Sequence, residues 1–284
     1  MALTINTNTA SLVAQSNLNS ATKLLNKSIE RMTTGYKINH ASDNAAGYSI
    51  SKNWETQISS LDVAADNAAT GADMLTTLED TYSLISSHLQ RVRDLTEQAA
   101  NGTYGTQSLE AIEAEMTSRL EEVDRIAANC EFNGLKMMDG SMGEISLQVG
   151  LYSSADSRIT LSEDLFKEAD IKSLFGEEIS TLANKCSGLT TGTTANSMLE
   201  KIDDVINEIS GRVTTLGAAQ NRIDSAVESI SVQSENITSS LSTLRDADVA
   251  SESSNYIKAQ ILQQAAATLL ATANQSPSIA LNLL

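Results

Sequence analysis

Proline and aromatic residues are nearly missing from this 284-residue chain, which has one Pro, one Trp and three Phe, with aromatics at 4%. Large rings dominate most compact cores, and proline punctuates the loops of many-element folds. An ordinary globular enzyme core is therefore disfavoured. The only cysteines, Cys130 and Cys186, are too few for a disulfide framework or a four-sulfur metal site. The two histidines, His40 and His88, stand far apart without metal-ligand spacing. No apolar run of about 18 residues is present to span a membrane, and the N-terminus lacks the basic start and apolar block of a secretory signal. Export, if it occurs, is expected by another route.

Positive charge is scarce too. The balance of 19 Lys and Arg against 36 Asp and Glu, net −17, argues against a nucleic-acid partner, whose phosphates demand basic side chains, and against a polybasic membrane-surface protein. Phosphate-binding glycine loops, zinc-protease histidine pairs and nucleophile elbows are absent, and carboxylates alone make no catalytic site. The expectation is a protein with no catalytic residues, no metal and no cofactor.

What remains is rich in Ala, Leu, Ile, Ser, Thr, Asn and Gln, which suits long helices. Ile202, Ile209, Leu216, Ile223, Ile230, Ile237 and Leu244 recur every seven residues, with a companion series at Ile206, Val213, Gln220, Val227, Ser234 and Leu241. Alternating steps of four and three over six heptads are a coiled-coil pattern. Such a helix is about 65 Å long at 1.5 Å per residue, whereas a compact globule of this size is roughly 50 Å across. A rod is predicted.

The first half carries a matching segment, with Leu61, Ala68, Leu75, Tyr82, Leu89 and Thr96 in heptads. Its companion series runs through Ala65 and Ala72, then shifts by one position to Leu78, Ile85, Val92 and Ala99, a predicted change of phase. A third helix reads Leu109, Ile112, Met116, Leu120, Val123 and Ala127, ending at Asn133-Gly134. Period-two alternation at Ile145, Leu147 and Val149, and at Ile159 and Leu161, predicts a β-hairpin near 143–162. Residues 165–195 have the least pattern and read as a short surface insert.

The chain ends are anomalous. No charged side chain occurs from Met1 to Thr22, and after Glu252 only Lys258 is charged. Both ends are nonetheless periodic, through Leu18, Ala21, Leu25, Ile29 and Met32 and through Ile257, Ile261, Ala265, Leu269 and Thr272. A surface helix normally carries a charged outer face. Uncharged helices of this kind suit burial against copies of the same chain, and non-closing contacts between copies build a filament.

Four stretches bear on family. Ile5 to Leu18 (INTNTASLVAQSNL) with Ser28 to Gly47 (SIERMTTGYKINHASDNAAG), Leu89 to Thr103 (LQRVRDLTEQAANGT), and Leu244 to Gln275 (LRDADVASESSNYIKAQILQQAAATLLATANQ) resemble the terminal signatures of bacterial flagellins. The resemblance spans roughly 1–165 and 195–284. It implies a mainly α fold, an elongated rod of long antiparallel coiled-coil-like helices with a small β-hairpin and paired terminal helices. The implied domains are an inner core of 1–42 with 245–284, a helical rod of 43–164 with 196–244, and the insert at 165–195 in place of outer domains. Trp54, just past the N-terminal signature, departs from the family pattern and is expected to pack.

The implied function is a filament subunit for motility, secreted to the extracellular flagellum after a cytoplasmic stage. Its implied partners are copies of itself, an export chaperone at about Asp246 to Leu284, the type III flagellar export apparatus, and cap and junction proteins. The family also implies recognition by host Toll-like receptor 5 through Arg91, Leu95 and Glu115, with Gln98 and Ile112 nearby. Arg91, Leu95 and Gln98 are spaced by four and three, so they share one helix face, with Leu95 expected as an exposed anchor. The expected polymerisation seams are Leu18, Leu25, Ile29 and Met32 at one end and Ile257, Ile261 and Leu269 at the other. A hook–filament junction protein would share the terminal helices. A coiled-coil adapter would explain the heptads but not the charge-free ends.

Overall fold

The computed structural model describes residues 7–101, 103–177 and 192–281 of the chain, with side chains outside 192–196 and as far as Gln275. Cys186 lies outside them, as does most of the run from Ser187 to Thr194. Six helices hold most of the described chain: α1 (Thr9–Thr34), α2 (Ala45–Ala100), α3 (Thr106–Asn129), α4 (Ile171–Phe175), α5 (Gly192–Arg245) and α6 (Val249–Leu281). At the start of α1 the Asn8 side chain accepts the Ser11 N–H at 3.0 Å, satisfying a donor the helix cannot. At its end Gly35, with φ 74°, donates its N–H to Arg31, the left-handed closure that glycine makes without strain. The 56 residues of α2 and 54 of α5 run without proline.

Contacts divide the chain into a terminal unit, Met1–Ile58 with Glu235–Leu284, and a central unit, Ser59–Ser234. The sequence charge divides with them. The terminal unit has seven Lys and Arg against seven Asp and Glu, and the central unit has 12 against 29. All the net charge belongs to the central unit.

The core of the central unit is formed by α2, α3 and α5. Leu61, Ala68, Leu75, Tyr82, Leu89 and Thr96 are all buried. Their companions are Ala64, Gly71, Leu78, Ile85, Val92 and Ala99, an unbroken seven-residue row. The predicted phase shift is absent, because small Ala64 and Gly71 take the places that the pattern assigns to Ala65 and Ala72. Gly71 is small for a reason: a Cβ there would overlap Leu147 of the hairpin.

Helix α5 buries Ile202, Ile209, Leu216, Ile223 and Ile230, as its heptads predict. Its second buried row differs from the prediction, running through Val205 and Ala219, with half-buried Arg212 between them. Arg212 lies at 3.4 Å from the Tyr82 hydroxyl and donates to the Glu168 carbonyl at 2.8 Å. The expected companions Ile206 and Val213 are only half-buried, and Val227 is exposed. Val213 rims an open groove with Ser83, Ser86 and Gln90 of α2.

Two small antiparallel hairpins follow α3. Strands β1 (Glu131–Phe132) and β2 (Leu135–Lys136) pair, joined by Asn133 and Gly134 at φ 50° and 80°. This corrects the predicted helix end. Two successive positive φ values make the tight hairpin turn for which Asn-Gly is the preferred pair, and α3 stops four residues earlier at Asn129. Strands β3 (Ile145–Gln148) and β4 (Arg158–Leu161) form the predicted hairpin, pairing Ile145 with Leu161 and Leu147 with Ile159.

The described part of the expected surface insert is also corrected. Leu165, Phe166, Ala169, Ile171, Leu174 and Phe175 are buried, and the Asp124 carboxylate of α3 accepts the Ile171 N–H at 2.6 Å. These residues belong to the core, supplying two of its few aromatic rings. Trp54 is half-buried. Among the described residues no helix is long and apolar enough to cross a membrane.

Candidate functional site

The most closely apposed helices among the described residues are α1 and α6. Small residues make that approach possible. On α1 the buried positions are Ala14, Ala21 and Ser28, spaced by seven. On α6 they are Glu252, Ala259 and Ala266, spaced likewise. Polar links cross between the helices: Asn8 donates to the Ala273 carbonyl at 2.7 Å, Ser11 to the Asn274 side chain at 2.7 Å, and Gln263 to the Thr22 hydroxyl at 3.2 Å.

Because small residues face inward, the large apolar ones point outward. Leu12, Val13, Leu24, Ile29 and Met32 of α1 are exposed, as are Val249, Ile257, Ile261, Leu262 and Leu269 of α6, with Leu269 at 62%. These ten are over half of the nineteen large apolar side chains exposed among the described residues. Of the expected seam residues, Leu18 and Leu25 are half-buried, while Ile29, Met32, Ile257, Ile261 and Leu269 are free. The inward row of Ala, Ser and Glu is masked in the sequence by the larger apolar residues at the outward positions. Its signal was the heptad spacing of small residues.

Ionic groups of the terminal unit cluster where α1 ends and α6 begins. Arg31 faces buried Glu252 at 3.6 Å, Lys27 pairs with Asp43 at 2.8 Å, and His40 lies 2.8 Å from Glu30. The Lys27 ammonium, with the N–H groups of His40 and Asn39, holds the Asp43 carboxyl at about 2. Asp248 caps α6 by accepting the Ala250 N–H at 2.9 Å, while Asp246 instead accepts the Ser242 hydroxyl at 2.6 Å.

The residues expected at a receptor surface separate into two environments. Arg91 donates from Nε to Glu115 at 3.0 Å and from Nη2 at 2.9 Å, joining α2 to α3. That hydrogen bond pulls the Glu115 carboxyl below, and pushes the Arg91 guanidinium above, their ordinary values. Gln98 is exposed and Ile112 half-buried. Leu95 is 1% exposed, which contradicts its expected role as an exposed anchor. It lies three residues past Val92 and four before Ala99, on the buried side of α2 beside Thr96.

Among the described residues no group of three or more His, Cys, Asp or Glu could hold a metal. Cys130 is buried, and burial pushes its thiol up.

A mainly helical chain whose two ends pair through small residues and turn a wide, uncharged apolar face outward defines a class: subunits that assemble with their own copies. Comparison with known proteins makes the assignment specific. Residues 5–142 match the bacterial flagellin N-terminal helical region, and residues 199–284 match the bacterial flagellin C-terminal helical region. The chain belongs to the bacterial flagellin family and is a structural subunit of the flagellar filament.

Polar flagellin F of Vibrio parahaemolyticus serotype O3:K6 is 31% identical over 378 aligned residues, covering 100% of both chains. A flagellin of Halalkalibacterium halodurans is 33% identical over 280 residues, covering 99% of each. The second alignment is no longer than this chain, so that relative is of similar length. A Vibrio parahaemolyticus structure assigned as a flagellar hook-associated protein superimposes with TM-score 0.61 at 14% identity, covering 72% of this chain and 100% of that one. At that identity it supports the fold alone. Flagellins are structural proteins that polymerise with themselves and are exported to form the extracellular filament.

Proposed function

We propose that the outward face of α1 and α6 is the polymerisation surface, with Leu18, Leu25, Ile29, Met32, Ile257, Ile261 and Leu269 as its seams. The observation that supports this reading is the exposure of ten large apolar side chains on a helix pair that has no charge before Lys23 and only Lys258 after Glu252. Removing each such side chain from water is worth about 1.5–3 kcal/mol, and no ionic group lies on α1 before Lys23 or on α6 after Lys258 to resist burial. Residues 1–42 and 245–284 form the inner core of the filament, residues 43–164 and 196–244 form its wall, and the filament serves motility.

The same exposure argues for protection before assembly, because an adhesive amphipathic helix aggregates when unpaired. A dedicated chaperone covers about Asp246 to Leu284 in the cytoplasm, the type III flagellar apparatus exports the chain, and cap and junction proteins meet it at the growing filament. Host Toll-like receptor 5 recognises the Arg91–Glu115 pair with Gln98 and Ile112 beside it, while Leu95 supports that face from beneath. A structural protein of this kind performs no catalysis.

Ile261→Glu and Leu269→Lys test the central reading. Each is expected to raise the critical concentration for assembly at least tenfold, measured by sedimentation, while the central unit keeps its helicity. Unchanged assembly in both would contradict it. For the receptor, Arg91→Ala is expected to weaken binding; full retained binding removes the pair from the contact.

A further inference from the structure

The terminal helix pair has a register problem. Ala14, Ala21 and Ser28 on α1 face a row of Glu252, Ala259 and Ala266 on α6, and Ala273 continues that row. Apart from Glu252, which pairs with Arg31, both rows repeat every seven residues with small side chains. Over Ala14, Ala21, Ala259 and Ala266, sliding one helix by seven sets small against small again, so the packing of these residues does not choose between the alignments. The cross-helix bonds at Asn8, Ser11 and Thr22 are neutral and lie at or near the surface. A slip by one heptad would move the partners about 10 Å and turn a different set of apolar residues toward neighbouring copies.

The chain connections at the end of the pair supply what the helices lack. The segment leaving α1 and the segment entering α6 meet in a one-residue β-bridge between Tyr36 and Asp246. Around it, Lys37 donates its N–H to the Arg245 carbonyl at 2.6 Å, and Ala247 donates to the Gly35 carbonyl at 2.8 Å. Arg245, the last residue of α5, holds this bridge from the side. Its guanidinium is paired with Glu55 of α2 and stacked on the Tyr36 ring, with the guanidinium carbon 4.0 Å from the ring centroid. Its side chain is only 13% exposed, and the buried Nε has no acceptor. One cation thus ties both connections to α2 within the terminal unit.

We propose that Arg245 is the positioning residue that sets the register of the terminal helix pair, acting through Glu55 and Tyr36 on the bridged connections. The bridge lies between the last residue of α1 and the first of α6, so fixing it fixes where the two small-residue rows begin to align. The Arg31–Glu252 pair, one turn further in at 3.6 Å, belongs to the same register and reinforces it. A lysine does not replace Arg245, because a compact ammonium lacks the planar surface that stacks on a ring while pairing with a carboxylate.

Cross-linking in assembled filaments tests this. In a Cys130→Ala/Cys186→Ala background, the pair Thr22→Cys/Gln263→Cys reports the native register. The pairs Thr22→Cys/Leu270→Cys and Thr22→Cys/Tyr256→Cys report slips of seven residues either way. Dibromobimane links formed within one chain run as monomers on a denaturing gel. The parent is expected to link 22 to 263 at least tenfold over either slipped pair.

Arg245→Ala is expected to cut the native link at least threefold and raise a slipped one, with helicity by circular dichroism unchanged. Tyr36→Phe, which keeps the ring, should retain the parental pattern, and Tyr36→Leu should not. If Arg245→Ala does not assemble, Tyr36→Leu and Glu55→Gln carry the test, each removing one leg of the clamp. A parental link pattern in Arg245→Ala filaments, or in both substitute variants, overturns the proposal.

Discussion

Gly71 and Leu95 show how single positions on α2 are constrained from the inside. At Gly71 the hairpin residue Leu147 occupies the space of a Cβ, so Gly71→Ala is expected to destabilise the central unit by about 1–3 kcal/mol through overpacking. A urea melt measures it. Leu95 is fully enclosed, and Leu95→Ala should cost about 2–5 kcal/mol through the cavity it leaves. Loss of receptor recognition in that variant is then expected to track loss of stability, whereas Arg91→Ala should leave the melt nearly unchanged, as partly exposed ion pairs contribute little. Asp43 behaves differently because its effect depends on pH. Its carboxyl is held at about 2, below the ordinary value near 4. The folded form binds this proton more weakly than the unfolded form does. The Lys27–Asp43 contribution is therefore complete above about pH 4 and lost as pH falls toward 2. Asp43→Asn should flatten the stability–pH curve in that window and leave neutral pH behaviour of the remaining groups alone, as measured by thermal melts from pH 2 to 5.

At the scale of elements, helix existence was legible wherever large apolar residues kept a seven-residue beat. Ile202 through Ile230 and Leu61 through Thr96 needed nothing else. The second row of each seam was not legible, and the cause is chemical. On α5, Ile206, Val213 and Val227 advertise a core more loudly than Val205, Arg212 and Ala219. Yet Arg212 is drawn inward by the Tyr82 hydroxyl and the Glu168 carbonyl, contacts distant in sequence. On α2 the true row passes through Ala64 and Gly71, whose burial comes from what lies against them rather than from their own hydrophobicity. The terminal pair repeats the lesson, since size pointed to Ile257 and Leu269 while closeness required Ala259 and Ala266. Ala259→Leu is accordingly expected to force α1 and α6 apart, and loss of the native 22–263 cross-link reports it. Asn133-Gly134 is ambiguous in sequence because a helix C-terminus and a tight hairpin both favour these residues. The strands it joins are only two residues each, too short to show alternation. Gly134→Val, at φ 80°, should destabilise this hairpin by about 1–2 kcal/mol, seen as faster amide exchange at Met137, whose N–H donates to Cys130.

At the scale of the whole molecule, charge is partitioned by role. The terminal unit is balanced at seven and seven, and the central unit carries every unit of the net −17. On the proposed assembly surface, copies would meet through shafts of balanced charge while their acidic units repel. Salt screens such repulsion over about 10 Å at 0.1 M, so the critical concentration is expected to fall as sodium chloride rises from 0.01 to 0.15 M, and light scattering would follow it. The charge-free ends were plain in the sequence, and the family signatures lay on them. What the sequence left hidden was which side of each end turned outward. Carbene footprinting of Leu12, Val13, Ile257, Ile261 and Leu269, in monomer and in filament, tests that directly. Strong labelling in the monomer with near-complete protection in the filament is the predicted result. Equal labelling in both states would mean that these faces meet water in the polymer, contrary to the assembly surface assigned to them.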